Sequence, residues 1–422
     1  MVTLSTNRWM RNRWPAILSA LALVAAGTVP AAIASAAAAN ASTPPPYQLT
    51  GGLPAGAKML DTGGLTPRSA FGGHVVHGIP NLETIPNFSD HFNVKGLNGS
   101  GQVQNQWLTN FVGAPPRHGG TTTINAPIIP VTVQLLNANG QVALSSSATQ
   151  YETNVVNSPV FSPATWSSSS TPTELPDAIQ RAEFFKSAKT DWHTELTPTP
   201  TQSLAIQIPF GDYFFQLNPD GSCCQFILVN ADTFVNAFFS TIVEAINDGT
   251  ITTQDISTFL FPNTYLFLGT LAKCCVLGFH TYVFNDLPNG VEQRWVLNYS
   301  SWISPGLFRG GLQDVTALSH EMSETFADPF VVSDGIHGLT PWWLSPNGNC
   351  QDNMEVGDVI ENLPDGLFPV TLNGFTYHPQ NEALMQWFVT GQPSDALDGA
   401  FSYPDTSVLP SPATFQNVNC SP

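Results

Sequence analysis

Between residues 226 and 268 the chain reads strand, helix, strand, and this run limits the fold more than any other part of the sequence. Phe226–Val229 is a short apolar run of strand length. From about Asp232 to Ile246, the side chains of Phe234, Phe238, Ile242 and Ile246 recur every fourth residue, along one helical face. Thr264–Leu268 returns to strand character. A helix with one aromatic side has to lay that side on a sheet.

Other runs supply the sheet. Ile128–Leu136 reads as a strand ending in the turn Asn137-Ala138-Asn139-Gly140, and strands follow at Leu204–Pro209, Val276–Phe284, Arg294–Tyr299 and Phe368–Tyr377. Asp177–Phe185 reads as a helix, with Ile179, Ala182 and Phe184 or Phe185 on one face. A further helix is expected to start at Asp314, as N-cap, and to stop at Asp328, because Pro329 disfavours helical backbone in its predecessor. A short helix is expected at Glu382–Phe388. The fold class implied is α+β: a twisted mixed sheet with a backing helix and a metal-site helix, a zincin-like core, stapled by disulfides. No internal repeat is seen.

The N-terminus reads as an export signal. Arg8, Arg11 and Arg13 precede an apolar stretch from about Pro15 to Val29, and then an alanine-rich tail with cleavage sites after Ala36 or Ala41. The stretch is shorter than the ~20 residues a membrane span needs. The expected organisation is a signal peptide over 1–41, a Pro/Gly/Asn-rich leader or propeptide-like segment over 42–123, and a metallohydrolase domain over 124–422. Asp61-Thr62-Gly63 resembles half of an aspartic-peptidase signature, but no second such triplet stands in an apolar context to complete the dyad.

The signal holds three of the 13 basic residues and no acid, so the mature chain carries 13 − 3 = 10 basic against 31 acidic residues, a net charge of 10 − 31 = −21. So few Lys and Arg argue against nucleic acid as a partner. Only 10% of residues are charged and 42% are hydrophobic, which suits a packed core rather than a disordered polyanion. After signal cleavage the chain is expected to be a secreted, extracellular monomer, off the membrane. Export permits disulfides, and the adjacent pairs Cys223-Cys224 and Cys274-Cys275 are expected to cross-link two segments, leaving Cys350 for Cys420.

Chemistry concentrates at His320-Glu321-Met322-Ser323-Glu324. Residues four apart share a helix face, so His320 and Glu324 can reach one metal ion while Glu321 holds a water as general base, the division of labour of an H-E-x-x-H helix. Glu324 in place of a second His is still a zinc ligand, though it widens the choice toward Mn²⁺ or Ca²⁺. A third ligand is needed. Glu355 and Asp358 are the leading candidates, with Gly357 permitting a turn between them; His280, His337 and His378 are the other side chains able to ligate. Asp328 lies two turns on, too far along a straight helix to share the ion. Val315, Leu318, Met322 and Phe326 form a separate apolar face, so His320 and Glu324 are not required for packing.

The run Ala317-Leu318-Ser319-His320-Glu321-Met322-Ser323-Glu324, followed by Asp328-Pro329, Trp342-Trp343 and Glu355-Val356-Gly357-Asp358, resembles a family of secreted bacterial and fungal metallopeptidase-like proteins with the pattern S-H-E-x-x-E, D-P, E-[IV]-G-D. It is distantly similar to plant phosphate-induced (Exordium-type) wall proteins. The resemblance spans roughly Asp177 to Tyr403. Relatives place a Cys after E-[IV]-G-D where this chain has Val359-Ile360. The expected activity is a secreted metal-dependent hydrolase, a zinc endopeptidase acting on extracellular protein or peptide. The alternative is a non-catalytic, metal-stabilised extracellular or wall-associated binding protein. An acid-active carboxyl peptidase or a glycoside hydrolase using paired carboxylates is a third reading.

Overall fold

The computed structural model describes residues 53, 57–59, 81–95, 103–167, 171–216, 225–331, 343–351, 354–389 and 393–413. The signal segment, Asp61-Thr62-Gly63, His337, Cys223, Cys224 and Cys420 lie outside them. In chain order, β1 (Leu82–Glu83) leads to a hairpin of β2 (Asn87–Lys95) and β3 (Val103–Val112), then to β4 (Thr121–Leu136) and β5 (Val142–Ser147). Helices α1 (Glu152–Val156) and α2 (Leu175–Glu183) precede β6 (His193–Pro200), β7 (Leu204–Ile208), β8 (Tyr213–Gln216) and β9 (Phe226–Asn230). Helix α3 (Ala231–Asn247) is followed by β10 (Ile256–Pro262), β11 (Thr264–Phe267), β12 (Cys274–Val276), β13 (Gly278–Asp286) and β14 (Glu292–Trp302). Helix α4 (Thr316–Ala327) carries the His-Glu motif. Small hairpins then pair β15 (Trp343–Leu344) with β16 (Cys350–Gln351), β17 (Val370–Leu372) with β18 (Phe375–Tyr377), and β19 (Glu382–Ala383) with β20 (Ser402–Tyr403); α5 (Met385–Phe388) follows β19.

The fold is mixed α+β, rich in strands and poor in helices, around a largely parallel central sheet. β14, β10 and β4 run parallel as its spine, β6 and β7 pair parallel with β4, and β5 and β13 add antiparallel strands at the margins. Strand alternation divides its side chains cleanly. Ile129, Val131 and Val133 of β4, Phe259 and Phe261 of β10, and Leu297 and Tyr299 of β14 join the core under α3. Their neighbours Ile128, Leu260 and Val296 join the core under α4. On β13, Phe279 packs with the α3 face and Tyr282 with the α4 face, so the same parity turns His280 toward α4.

Several expected elements changed form. Val276–Phe284 splits at Leu277, because β12 belongs to a separate four-stranded sheet with β11, β9 and β8, whereas β13 belongs to the central one. Phe368–Tyr377 is a hairpin rather than one strand: Asn373 and Gly374, with φ of 52° and 81°, turn the chain. The helix expected from Glu382 begins only at Met385, since Glu382 and Ala383 pair with Tyr403 and Ser402. β10 was not expected, although it is buried on both faces. Within the expected leader, β3 delivers Phe111 and Val112 to the core, and Thr109 Oγ1 donates to the carbonyl of Ala327 at the end of α4. The disulfide expectation is overturned at Cys274 and Cys275, which bond to each other and therefore do not cross-link to Cys223 and Cys224. No helix among the described residues is long and apolar enough to cross a membrane.

Candidate metal centre

All twelve residues of α4 are buried, so this helix is enclosed on every side. Val315, Leu318, Met322 and Phe326 face the sheet. Its serine hydroxyls bond back to the helix: Ser319 Oγ donates to the Thr316 carbonyl and Ser323 Oγ to that of Ser319. The helix ends as its sequence predicts, with Asp328 as C-cap before Pro329. Its start differs. Val315 occupies the N-cap position, and the Asp314 carboxylate instead accepts from the backbone N–H of Val315 and His378 and lies 2.7 Å from His378 Nδ1. His378 is thereby committed to Asp314 and is not at the centre.

Three further segments close on α4. β13 brings His280, which is wholly buried. The turn 354–361 sinks Met354, Val356, Val359 and Ile360 into one core cluster and turns Glu355 and Asp358 toward the helix. Gln380 ties this turn down: its backbone N–H donates to Ser319 Oγ and its amide donates to the Gly357 carbonyl. Two glycines permit the close approach. A Cβ on Gly278 would stand 2.7 Å from Cγ and Oε1 of Glu321, and one on Gly357 would stand 2.6 Å from His320 Nδ1. Gly357 is therefore required for contact, not for the turn conformation its position suggested; its φ is not positive.

His280 Nε2 lies 3.1 Å from the Asp328 carbonyl, which can only accept, so Nε2 carries a proton and Nδ1 is the nitrogen that faces the carboxylates. Nδ1 is 3.3 Å from Glu324 Oε2, 3.6 Å from Glu321 Oε2 and 3.9 Å from Glu355 Oε2. His320 Nε2 is 3.3 Å from Glu324 Oε1, 3.4 Å from Asp358 Oδ1 and 3.9 Å from Glu321 Oε1. These approaches are long for hydrogen bonds. His280 Nδ1, both ring nitrogens of His320, and Oε2 of Glu321 and of Glu324 make none, though all are buried. Glu324 Oε1 accepts from the backbone N–H groups of Gly357 and Asp358, which fixes its carboxylate. The ligand atoms of His280, Glu324 and Glu355 lie within 4.8 Å of one another, as do those of His320, Glu321 and Glu324.

The electrostatics follow from this crowding. Burial alone would lower both imidazoles, but Glu355, Glu321 and Glu324 around His280, and Glu324, Glu321 and Asp358 around His320, hold both well above the ordinary histidine value. Burial raises Glu321 and is only partly opposed by His320 and His280. For Glu324 burial also pushes upward, yet the two imidazoles outweigh it and hold the carboxyl below its ordinary value. Glu382, fully buried nearby, is raised well above its usual value by burial, with His320 opposing and Glu324 and Glu321 adding.

Of the residues read from sequence, His320, Glu321, Glu324, Glu355, Asp358 and His280 converge. Asp328 contributes its backbone carbonyl to His280, and His378 stays outside. Glu382 and Gln380 carried no sequence signal for this place: one read as the start of a helix, and both lie some sixty residues beyond the motif. No protein-family model, curated protein or solved structure matches the chain.

Proposed function

We propose that the chain is an exported metal-dependent hydrolase acting on extracellular protein or peptide. One observation carries this reading: two imidazoles and four carboxylates converge in the buried interior with ring nitrogens that no hydrogen bond claims. Mixed nitrogen and oxygen donors suit Zn²⁺, or Mn²⁺ where the carboxylates dominate, better than the all-oxygen shells of Ca²⁺. His320 and Glu324 hold the ion, with Asp358, Glu355 and His280 completing its surroundings. A bound ion would polarise the scissile carbonyl and acidify its water. Glu321, between the two imidazoles, is placed to accept that water's proton, and burial has raised its basicity for the task.

The sheet, the enclosed helix and β13 together form the zincin-like core of this reading. Among the described residues β13 pairs with β14 alone, and its Gly278 lies against Glu321, so an extended peptide added beside Gly278–Tyr282 would run past the base. The resemblance of the S-H-E-x-x-E, D-P and E-V-G-D segments to secreted metallopeptidase-like proteins supports the same activity. The test is hydrolysis of an unfolded protein substrate by the mature chain. Activity should vanish with a chelator, return with Zn²⁺ or Mn²⁺, and fall at least ~100-fold in Glu321→Gln. Unchanged hydrolysis in that variant overturns the role of Glu321.

The depth of the centre favours a second reading. His280, His320, Glu321, Glu324, Glu355 and Asp358 are each at most 1% exposed. A metal so enclosed would hold α4, β13 and the 354–361 turn together in a non-catalytic extracellular protein. A chelator would then lower the melting temperature of a protein that hydrolyses nothing.

A further inference from the structure

Glu321 and Glu324 do not face one imidazole. Each splits its carboxylate between two: Oε1 of Glu321 and Oε1 of Glu324 turn toward His320, at 3.9 and 3.3 Å, and the Oε2 atoms turn toward His280, at 3.6 and 3.3 Å. A terminal acid then stands at each end, Glu355 beside His280 at 3.9 Å and Asp358 beside His320 at 3.4 Å. The result is a nearly two-fold set: imidazole and one carboxylate on the left, imidazole and one carboxylate on the right, and two carboxylates between. A single ion satisfies one half of such a set. It cannot use both oxygens of both central carboxylates and both imidazoles without drawing the halves together.

We propose that this centre binds two divalent transition-metal ions, one held by His280 and Glu355, the other by His320 and Asp358, with Glu324, the residue common to both groups of convergent ligand atoms, bridging them and Glu321 left beside the pair as the base. The proposal deepens, and rests on, the reading of the cluster as a metal centre. Three physical arguments support it. First, paired ions in hydrolytic centres stand about 3.5–4 Å apart, a span that one carboxylate bridges with its two oxygens. Second, imidazole plus bridging and terminal carboxylates is the donor set by which helical carboxylate proteins hold ion pairs. Third, the convergent ligand atoms form two groups rather than one, His280, Glu324 and Glu355 on one side and His320, Glu321 and Glu324 on the other, which share only Glu324.

The surrounding contacts favour the same assignment. His280 Nε2 is spent on the Asp328 carbonyl, which leaves Nδ1 as its one donor and fixes its direction. Gly278 and Gly357 press one on each side of the set, against Glu321 and His320. The carboxylate-rich shell points to Mn²⁺ or Fe²⁺ at least as well as to Zn²⁺.

The experiment is a Mn²⁺ titration of the full mature chain after chelation, read by equilibrium dialysis and by electron paramagnetic resonance. Uptake should saturate at two ions per chain, with the six-line pattern of isolated Mn²⁺ replaced by a broad exchange-coupled signal as the second ion enters. Glu355→Gln and Asp358→Asn should each still bind one ion and lose the coupled signal. Saturation at one ion per chain with a persistent six-line pattern overturns the paired centre, while metal-dependent hydrolysis by that protein would leave the proposed activity standing. Two coupled ions in a protein that hydrolyses nothing would uphold the pair and defeat the hydrolase. No uptake at all overturns both. The wild-type titration decides the matter even if neither variant folds.

Discussion

The two faces of the central sheet bury similar depths of chain but opposite kinds of chemistry. Under α3 the contact is aromatic: Phe238 meets the rings of Phe259 at 4.9 Å, Phe261 at 5.8 Å and Phe279 at 6.0 Å, and Phe234 meets Tyr299 at 4.7 Å. Apart from the Tyr299 hydroxyl, which donates to the Thr264 carbonyl, these side chains need no partner beyond close packing. Under α4 the same strands present His280 and Asn298 alongside Tyr282 and Val296, and the helix answers with His320, Glu321 and Glu324. Apolar burial stabilises by itself, whereas each buried polar group costs free energy until something satisfies it. One face therefore stabilises the fold by packing alone, and the other buries polar groups whose cost a bound ion would offset. β13 joins them, since Phe279 and His280 are neighbours that point opposite ways.

The largest effect should come from the apolar face. Phe238→Ala removes a ring contacted by rings from three strands and from α3 itself, and a cost of about 3–5 kcal/mol is expected. Denaturant unfolding would register it as a lower midpoint at unchanged slope. The folded fraction should still bind metal at the wild-type stoichiometry. If metal binding fell together with stability, the two faces would not be separable.

A smaller change on the other face should do the reverse. Gly278→Ala places a methyl group 2.7 Å from Glu321, so the carboxylate or the strand has to shift. Overpacking of this kind costs ~1–3 kcal/mol, and displacing a centre's supporting contacts typically lowers metal affinity ~10–100-fold. Calorimetric titration with Mn²⁺ or Zn²⁺ measures the second number directly. Wild-type affinity in this variant would show that Glu321 has no fixed place in the centre.

How much of this was legible in the sequence depended on range. Local periodicity carried α3, whose Phe234, Phe238 and Ile242 all pack on the sheet, and it carried α2 and the long strand β4. The His320 and Glu324 pair was legible because both lie within one helix, and Glu355 and Asp358 because two acids stood out in a chain poor in charge. What failed was non-local. Nothing near His280 in sequence indicates that strand parity aims it at α4. Glu382 looked like a helix start because its strand partner, Tyr403, lies 403 − 382 = 21 residues later. Gly357 looked like a conformational glycine and Gly278 like an ordinary strand residue, and only the packed structure reveals that both leave room for a neighbouring side chain by lacking a Cβ. Asp314 had the right chemistry for an N-cap, but His378, far along the chain, competes for the same carboxylate.

Buried acids also offer a finer comparison, between Glu324 and Glu183 at the end of α2. Both are buried and both accept backbone N–H groups, Glu183 from Met385. Glu324 has two imidazoles beside it and is held below its ordinary value. Glu183 has Asp90 instead, and burial raises it to about 8, with the Met385 hydrogen bond opposing and Asp90 adding. The sign of its contribution follows. Between the ordinary carboxylate value of 4.5 and about 8 the folded chain keeps a proton on Glu183 that the unfolded chain has lost. Its stabilisation is complete below 4.5 and is lost as pH rises through 8. Glu183→Gln retains the acceptor for Met385 without the titration. Chelated wild-type protein should therefore lose stability relative to this variant across that window, by up to about 1.4 kcal/mol per pH unit where one proton separates the states. Parallel curves of unfolding free energy against pH for the two proteins would show that Glu183 ionises normally, and that burial without a neighbouring cation is not what distinguishes it from Glu324.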